Sequence, residues 1–280
     1  MNAVTKTDSS LPAHLQGGKS TSFGKVDAKD LIVPRVKLMQ ATSPEMQTFD
    51  GIKIGDFFHN VLEESWGQSV RIIPIMRRKE IVLWAPRGDE RGILARSRDC
   101  IHWDEGFANL KFEVKLKGVK DPVTYETKGN VAESGLSEFG SAIPGDAKSR
   151  PAASETQRML FASPDHKDAG PFLVINTRTS LARAKGLITK IEMRPVDPWG
   201  QVYVMGTSNE KGDEGDYKNY TYTADGYASE ADFNWARDLY LRFKDLDFGA
   251  ADEHDDASDP GAAKPKDDAA TRDVSGVKTF

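Results

Sequence analysis

"SVRIIPIMRRKEIVLWAPRG", residues 69–88, carries the longest β-signal in the chain. Val70 to Met76 and Ile81 to Trp84 read as buried strand segments. Between them lie Arg77, Arg78 and Lys79, with Arg71 before and Arg87 after. Pro74 cannot donate a ladder hydrogen bond, which predicts an edge position or a bulge. Two readings of the basic triplet stand side by side: a phosphate contact, or a solvated hairpin between the segments.

Working outward, the chain is rich in strand patterns. Residues 110–116 alternate cleanly, with Leu110, Phe112, Val114 and Leu116 on one face and Lys111, Glu113 and Lys115 on the other. "GPFLVINTR" reads as a buried strand, and "GILARSRDCIHW" as a return strand after residues 69–84. "GQVYVMGTS" and "YKNYTYTADGY" read as two strands joined by the turn-rich "NEKGDEGD". Two segments have helical spacing. In "SLARAKGLITKIEM" the stripe is Leu181, Ala184, Leu187, Ile188 and Ile191, with Ser180 as the expected N-cap. In "SEADFNWARDLYLRF" it is Phe233, Ala236, Leu239, Tyr240 and Phe243, capped by Ser229. The expected fold is mainly β within the α+β range: an OB-like barrel or a curved antiparallel sheet with about two helices.

Three regions divide the chain. Residues 1–28 are polar and expected to be a disordered arm. Residues 29–248 form the predicted domain, interrupted near 129–155 by a Gly, Ser, Ala and Pro-rich stretch expected to be a mobile loop. Residues 249–280 are expected to be a disordered acidic tail. The net charge of −5 is uneven: residues 245–280 hold ten acidic and four basic residues, leaving the rest close to balance. An acidic average therefore does not exclude a basic surface. The single cysteine, Cys100, excludes an internal disulfide and fits a reducing compartment, here a cytoplasm. No apolar run of transmembrane length occurs.

Enzymatic signatures are missing from the sequence. It contains no GxxxxGK[ST], no CxxC, no HExxH and no GxSxG. Cys100, His102 and Asp104, two apart, come nearest to a ligand set, but they lack a fourth member and read as plain strand. Neither catalytic nor metal residues are nominated, and no cofactor is expected. The cations say more. Residues 71–98 contain eight basic residues against three acidic, and Arg178, Arg183, Lys185, Lys190 and Arg194 form a second group with only Glu192 among them. Single-stranded nucleic acid is bound by cations that track phosphates and aromatic faces that stack on bases. The candidate contacts are Arg71, Arg77, Arg78, Lys79, Arg87, Arg178 and Lys185, with Trp84, Trp103 and Tyr203 as stacking rings, although a strand tryptophan fits a core equally well.

"LIVPRVKLMQATSPEM" followed by "GIKIGDFFHNV", then "RIIPIMRRKEIVLW", then "GQVYVMGTSNEKGDEGDYKNYTYTADGY" and "FNWARDLYLRF", resemble a group of tailed-bacteriophage proteins over residues 31–245. Part of that group is similar to phage single-stranded DNA-binding proteins, which use an OB-type barrel and an acidic tail ending in an aromatic residue. The resemblance implies a non-enzymatic role in phage replication or recombination. Single-stranded DNA would be the partner, and Phe280 a contact for replication or recombination proteins. The tail departs from that pattern, because Arg272 and Lys278 intervene before Phe280. Two other classes fit the composition: a virion structural or assembly protein, and a regulator that binds a host RNA polymerase or nuclease.

Overall fold

The structure, a computed structural model, describes residues 33–246 apart from 87, 88, 90, 117, 213 and 214. The expected arm, the tail with Phe280, and Arg87 lie outside the described residues. A small antiparallel sheet comes first, built from β1 (Val36–Leu38), β2 (Phe57–His59) and β3 (Glu64–Ser65), with the one-turn helix α1 (Glu45–Thr48) between β1 and β2. The main sheet runs β11 (Gly215–Tyr227), β10 (Gln201–Gly212), β4 (Ser69–Trp84), β8 (Ala153–Ala162) and β9 (Pro171–Thr177), with β5 (Ile93–Ser97) on the far half of β4. A separate hairpin pairs β6 (Lys111–Val114) with β7 (Val123–Glu126), and the long helices are α2 (Arg178–Glu192) and α3 (Glu230–Phe243). The end strands β11 and β9 do not pair, so the mainly β architecture is an open antiparallel sheet with helices and not a closed OB-like barrel. No helix among the described residues is long and apolar enough to cross a membrane.

The opening stretch forms one continuous strand of 16 residues, so Arg77, Arg78 and Lys79 sit within a strand and not in a hairpin. β4 meets β10 through residues 69–72, β8 through 73–83 and β5 through 81–84. Its pairing with β8 slips by one residue between Pro74 and Met76. Proline is tolerated there because a bulge removes the demand for a ladder donor. The slip also reverses the alternation. Before it, Val70 and Ile72 face the core that holds Ala184, Leu187 and Ile191 of α2. Ile73 and Ile75 face the core that holds Ala236 and Leu239 of α3. Beyond the bulge Met76 stays on the α3 side, opposite Leu160, and Arg77 falls on the α2 side, opposite Met159.

β8 is the strand that the composition hid. Its first three residues fall in the 129–155 stretch, yet it lies inside the sheet between β4 and β9 and buries both faces, Met159 and Phe161 toward α2, Leu160 and Ala162 toward α3. The remainder of that stretch is turn-rich and tied down: Ile101 C=O accepts from Val131 N–H at 2.9 Å, Leu136 C=O from Ala153 N–H at 2.8 Å, and Ala142 C=O from the Tyr125 hydroxyl at 2.8 Å. Val131 and Leu136 join Leu83, Leu94, Trp103, Val114 and Tyr125 in a third core at the far end of β4. Both helix starts are chemically marked. Ser229 accepts from Asp232 N–H at 3.2 Å as expected. On α2 the cap is Thr177 and not Ser180, whose hydroxyl oxygen instead accepts from Thr177 N–H at 2.9 Å, from within the first turn.

The outer edge of β11 is closed by side chains. The Gln40 amide takes both outward groups of Lys218, donating to its carbonyl at 2.8 Å and accepting from its N–H at 2.9 Å. Lys190 Nζ donates to Tyr222 C=O at 2.5 Å, and Arg194 Nη1 to Gly226 C=O at 3.2 Å. Side-chain cover of this kind is one way natural sheets blunt an edge.

At mid-sheet the Arg158 guanidinium on β8 is paired with the Glu80 carboxylate on β4, and both side chains are buried. Removing one partner of such a pair leaves a lone buried charge, at a cost of about 3–5 kcal/mol, whereas replacing both with apolar residues is often neutral. Arg158→Leu alone is expected to lower the unfolding free energy by about 3 kcal/mol. Adding Glu80→Met should recover most of the loss, as measured by urea denaturation of the single and double variants.

Candidate nucleic-acid interface

Past the bulge, alternation divides the basic triplet between the two faces of the sheet. Arg77 and Lys79 are exposed on the α2 side. Their neighbour across the ladder is β8, where Glu155 accepts two hydrogen bonds and forms a longer ion pair with Lys79. Lys185 Nζ on α2 lies 3.0 Å from Glu155 Oε2, Lys79 Nζ lies 3.7 Å from the same oxygen, and Gln157 Nε2 donates to Oε1 at 2.8 Å. Arg77 has no side-chain partner among the described residues. Lys79 and Lys185 are about half exposed, so two cations share one carboxylate at an accessible surface, with Arg77 further along the same face.

Burial alone would raise the Glu155 pKa. The hydrogen bonds from Gln157 and Lys185, with the charges of Lys79 and Lys185, outweigh burial and hold the carboxyl below its ordinary range. Glu155 is therefore ionised at neutral pH and fixes two lysines whose stems would otherwise sample many rotamers.

On the opposite face the cations are structural. Arg78 lies directly across from Arg158, an arrangement that repels unless a carboxylate intervenes, and Glu80 stands one step along the strand to supply it. Arg78 Nη2 also donates to Lys244 C=O at 3.1 Å. Buried Arg96, opposite Val82, reaches Asp104 at 3.2 Å, and Arg98 meets the same carboxylate at 3.3 Å. Arg71 sits before the bulge, held by Asp225 at 2.8 Å and Asp165 at 3.2 Å, so it does not continue the triplet. Arg178 opens α2 half-buried, with a left-handed φ of 45°.

Two of the three predicted stacking rings are not surface groups. Tyr203 is 0% exposed, and its hydroxyl donates to Gln201 Oε1 at 2.7 Å. Trp103 is buried in the third core. Tyr203 lies on β10 in the core it shares with α2, whereas Trp103 lies outside the strands and packs into the third core from the segment between β5 and β6. Trp84 is half-buried at the end of β4, opposite Ile93. The Cys100, His102 and Asp104 set does not converge. Cys100 takes a left-handed φ of 62°, His102 Nδ1 pairs with Asp99 at 2.8 Å, and Asp104 serves the arginines. No group of three or more His, Cys, Asp or Glu is gathered for a metal among the described residues. The sequence reading missed Glu155, Gln157 and Arg158, all on β8; only the apolar run Met159–Ala162 that follows them signals a strand.

These features define a mostly β protein with an open antiparallel sheet and a cation-rich strip on one face. The chain belongs to the Pam3 phage gp34-like protein family, whose model matches residues 5–248, and it is a bacteriophage-type protein on that basis. No curated protein and no solved structure matches it.

The Glu155 geometry has a pH signature. Because the folded pKa is depressed, its stabilising contribution is complete above the unfolded value of about 4.3 and is lost as pH falls through the lower folded value. Glu155→Gln should flatten the acid limb of stability between about pH 5 and 3, read as the urea midpoint against pH.

Proposed function

We propose that the protein is a non-enzymatic single-stranded DNA-binding protein of phage replication or recombination, acting in the host cytoplasm. The observation that carries this reading is one exposed face that holds Arg77 beside Lys79 and Lys185, the two lysines sharing Glu155. Phosphate binding needs cations that are accessible and not already neutralised, and here two lysines share one carboxylate while Arg77 on the same face has no partner among the described residues. The lysines are held in place before any ligand arrives, which reduces the rotamer entropy lost on binding. Arg71, Arg78, Arg96 and Arg158 are engaged within the fold, so the contact surface is narrower than the run of basic residues in the sequence suggests. The acidic residues 249–280 compete with phosphate for this strip and disfavour non-specific binding.

The test is fluorescence anisotropy of labelled oligo-dT and of a matched duplex over a salt series. Tight single-strand binding that weakens with salt is expected. Arg77→Ala, Lys79→Ala and Lys185→Ala combined should reduce the slope of log K against log salt by about 2, at about 0.7 per phosphate contact. Glu155→Gln, which removes the competing charge, should tighten binding. Absence of binding at low salt by folded protein would favour the virion or host-enzyme readings.

A chain ending at residue 248 should bind oligo-dT more tightly than the full chain and discriminate less against duplex. Unchanged affinity in the same assay would show that the tail does not compete.

A further inference from the structure

The buried Tyr203 has a second role that its position conceals. The Arg194 guanidinium lies over the Tyr203 ring at 5.6 Å and over the Tyr227 ring at 5.4 Å. Two tyrosines and one arginine thus form a column that starts in the core and ends at solvent, since Tyr203 is fully buried and Tyr227 is 65% exposed. Arg194 is pinned by its bond to Gly226 C=O, on the residue preceding Tyr227. Tyr227 itself is anchored by pairing with Gln201 in the β10–β11 ladder. An aromatic ring at the surface normally loses freedom when a partner stacks on it; this ring is already backed by a cation on a fixed base.

We infer that Tyr227 is a base-stacking platform for single-stranded DNA, deepening the reading proposed above and resting on it. Three features favour a nucleotide as the occupant. A guanidinium has five N–H donors, and Arg194 uses one in a hydrogen bond among the described residues, so others can reach a phosphate beside the stacked base. Met193, 80% exposed, and Val196, 40% exposed, flank Arg194 in sequence and offer apolar contact to a base or sugar. The platform also lies at the end of the helix that carries part of the cationic strip: Lys185 is within α2, and Arg194 stands two residues past its last residue, Glu192. Single-stranded sites of roughly 4 nucleotides or more are usual, so one bound strand contacts more than a single such position.

The full-length protein is cross-linked by ultraviolet light to an oligonucleotide carrying 5-iododeoxyuridine, and the modified residue is located by mass spectrometry. Cross-linking at Tyr227 is expected. In parallel, Tyr227→Ala should weaken oligo-dT binding about tenfold without altering the salt slope, because stacking is lost and no phosphate contact is. Tyr227→Phe should bind within about twofold of the unmodified chain, since the ring and not the hydroxyl is used. If the unmodified chain binds oligo-dT, but Tyr227→Ala binds equally well and the cross-link maps elsewhere, the platform is refuted and the cationic strip stands. If the unmodified chain does not bind, both fall together.

Discussion

One inserted residue decides what β4 presents to solvent. Side chains of a strand alternate between faces, so a slip of one position moves every later residue to the other side. At Pro74–Met76 the strand makes that slip against β8 while staying hydrogen-bonded on both sides of it. The two isoleucines at 73 and 75 and then Met76 all serve the α3 core, and the parity is reversed from there onward. Without the bulge Arg77 and Lys79 would face α3, and Arg78 and Glu80 would meet Lys185 and Glu155. The proline is thus more than tolerated: it stands at the position where a missing donor is harmless, and it marks the register change.

That register divides the charges by role. Arg78, Glu80, Arg96 and Arg158 occupy one face, three of them buried, and there each cation is balanced by a carboxylate or a carbonyl. Buried charges survive only with such compensation. Arg77, Lys79 and Lys185 occupy the other face at an exposed surface, where a shared carboxylate leaves charge in excess. A basic count over residues 71–98 cannot separate these groups, because the separation depends on strand parity and on neighbours contributed by β8, some eighty residues later.

Much of the fold was legible in local pattern. Periodicity located the long strand, the β10 and β11 hairpin and both long helices, and Ser229 capped α3 as expected, because each signal needs only neighbours within one or two turns. β8 escaped because its first half, "ASETQ", is polar and follows a Gly, Ser and Pro-rich run; its burial comes from sheet partners on both sides and from helices on both faces. The site was legible only in part. Arg77, Lys79 and Lys185 were named, but Glu155, which orders two of them, belongs to the missed strand. Trp103 and Tyr203 were named as surface rings, whereas burial depends on what packs against each ring, which composition does not reveal.

The covered edge of β11 bears on how copies of the protein relate to one another. Gln40, Lys190 and Arg194 occupy backbone groups that an incoming strand would have to capture, so addition there must first displace four hydrogen bonds from three side chains. Copies of the protein that meet along this border therefore keep separate sheets, and any contact between them at β11 is made by side chains and not by a shared ladder.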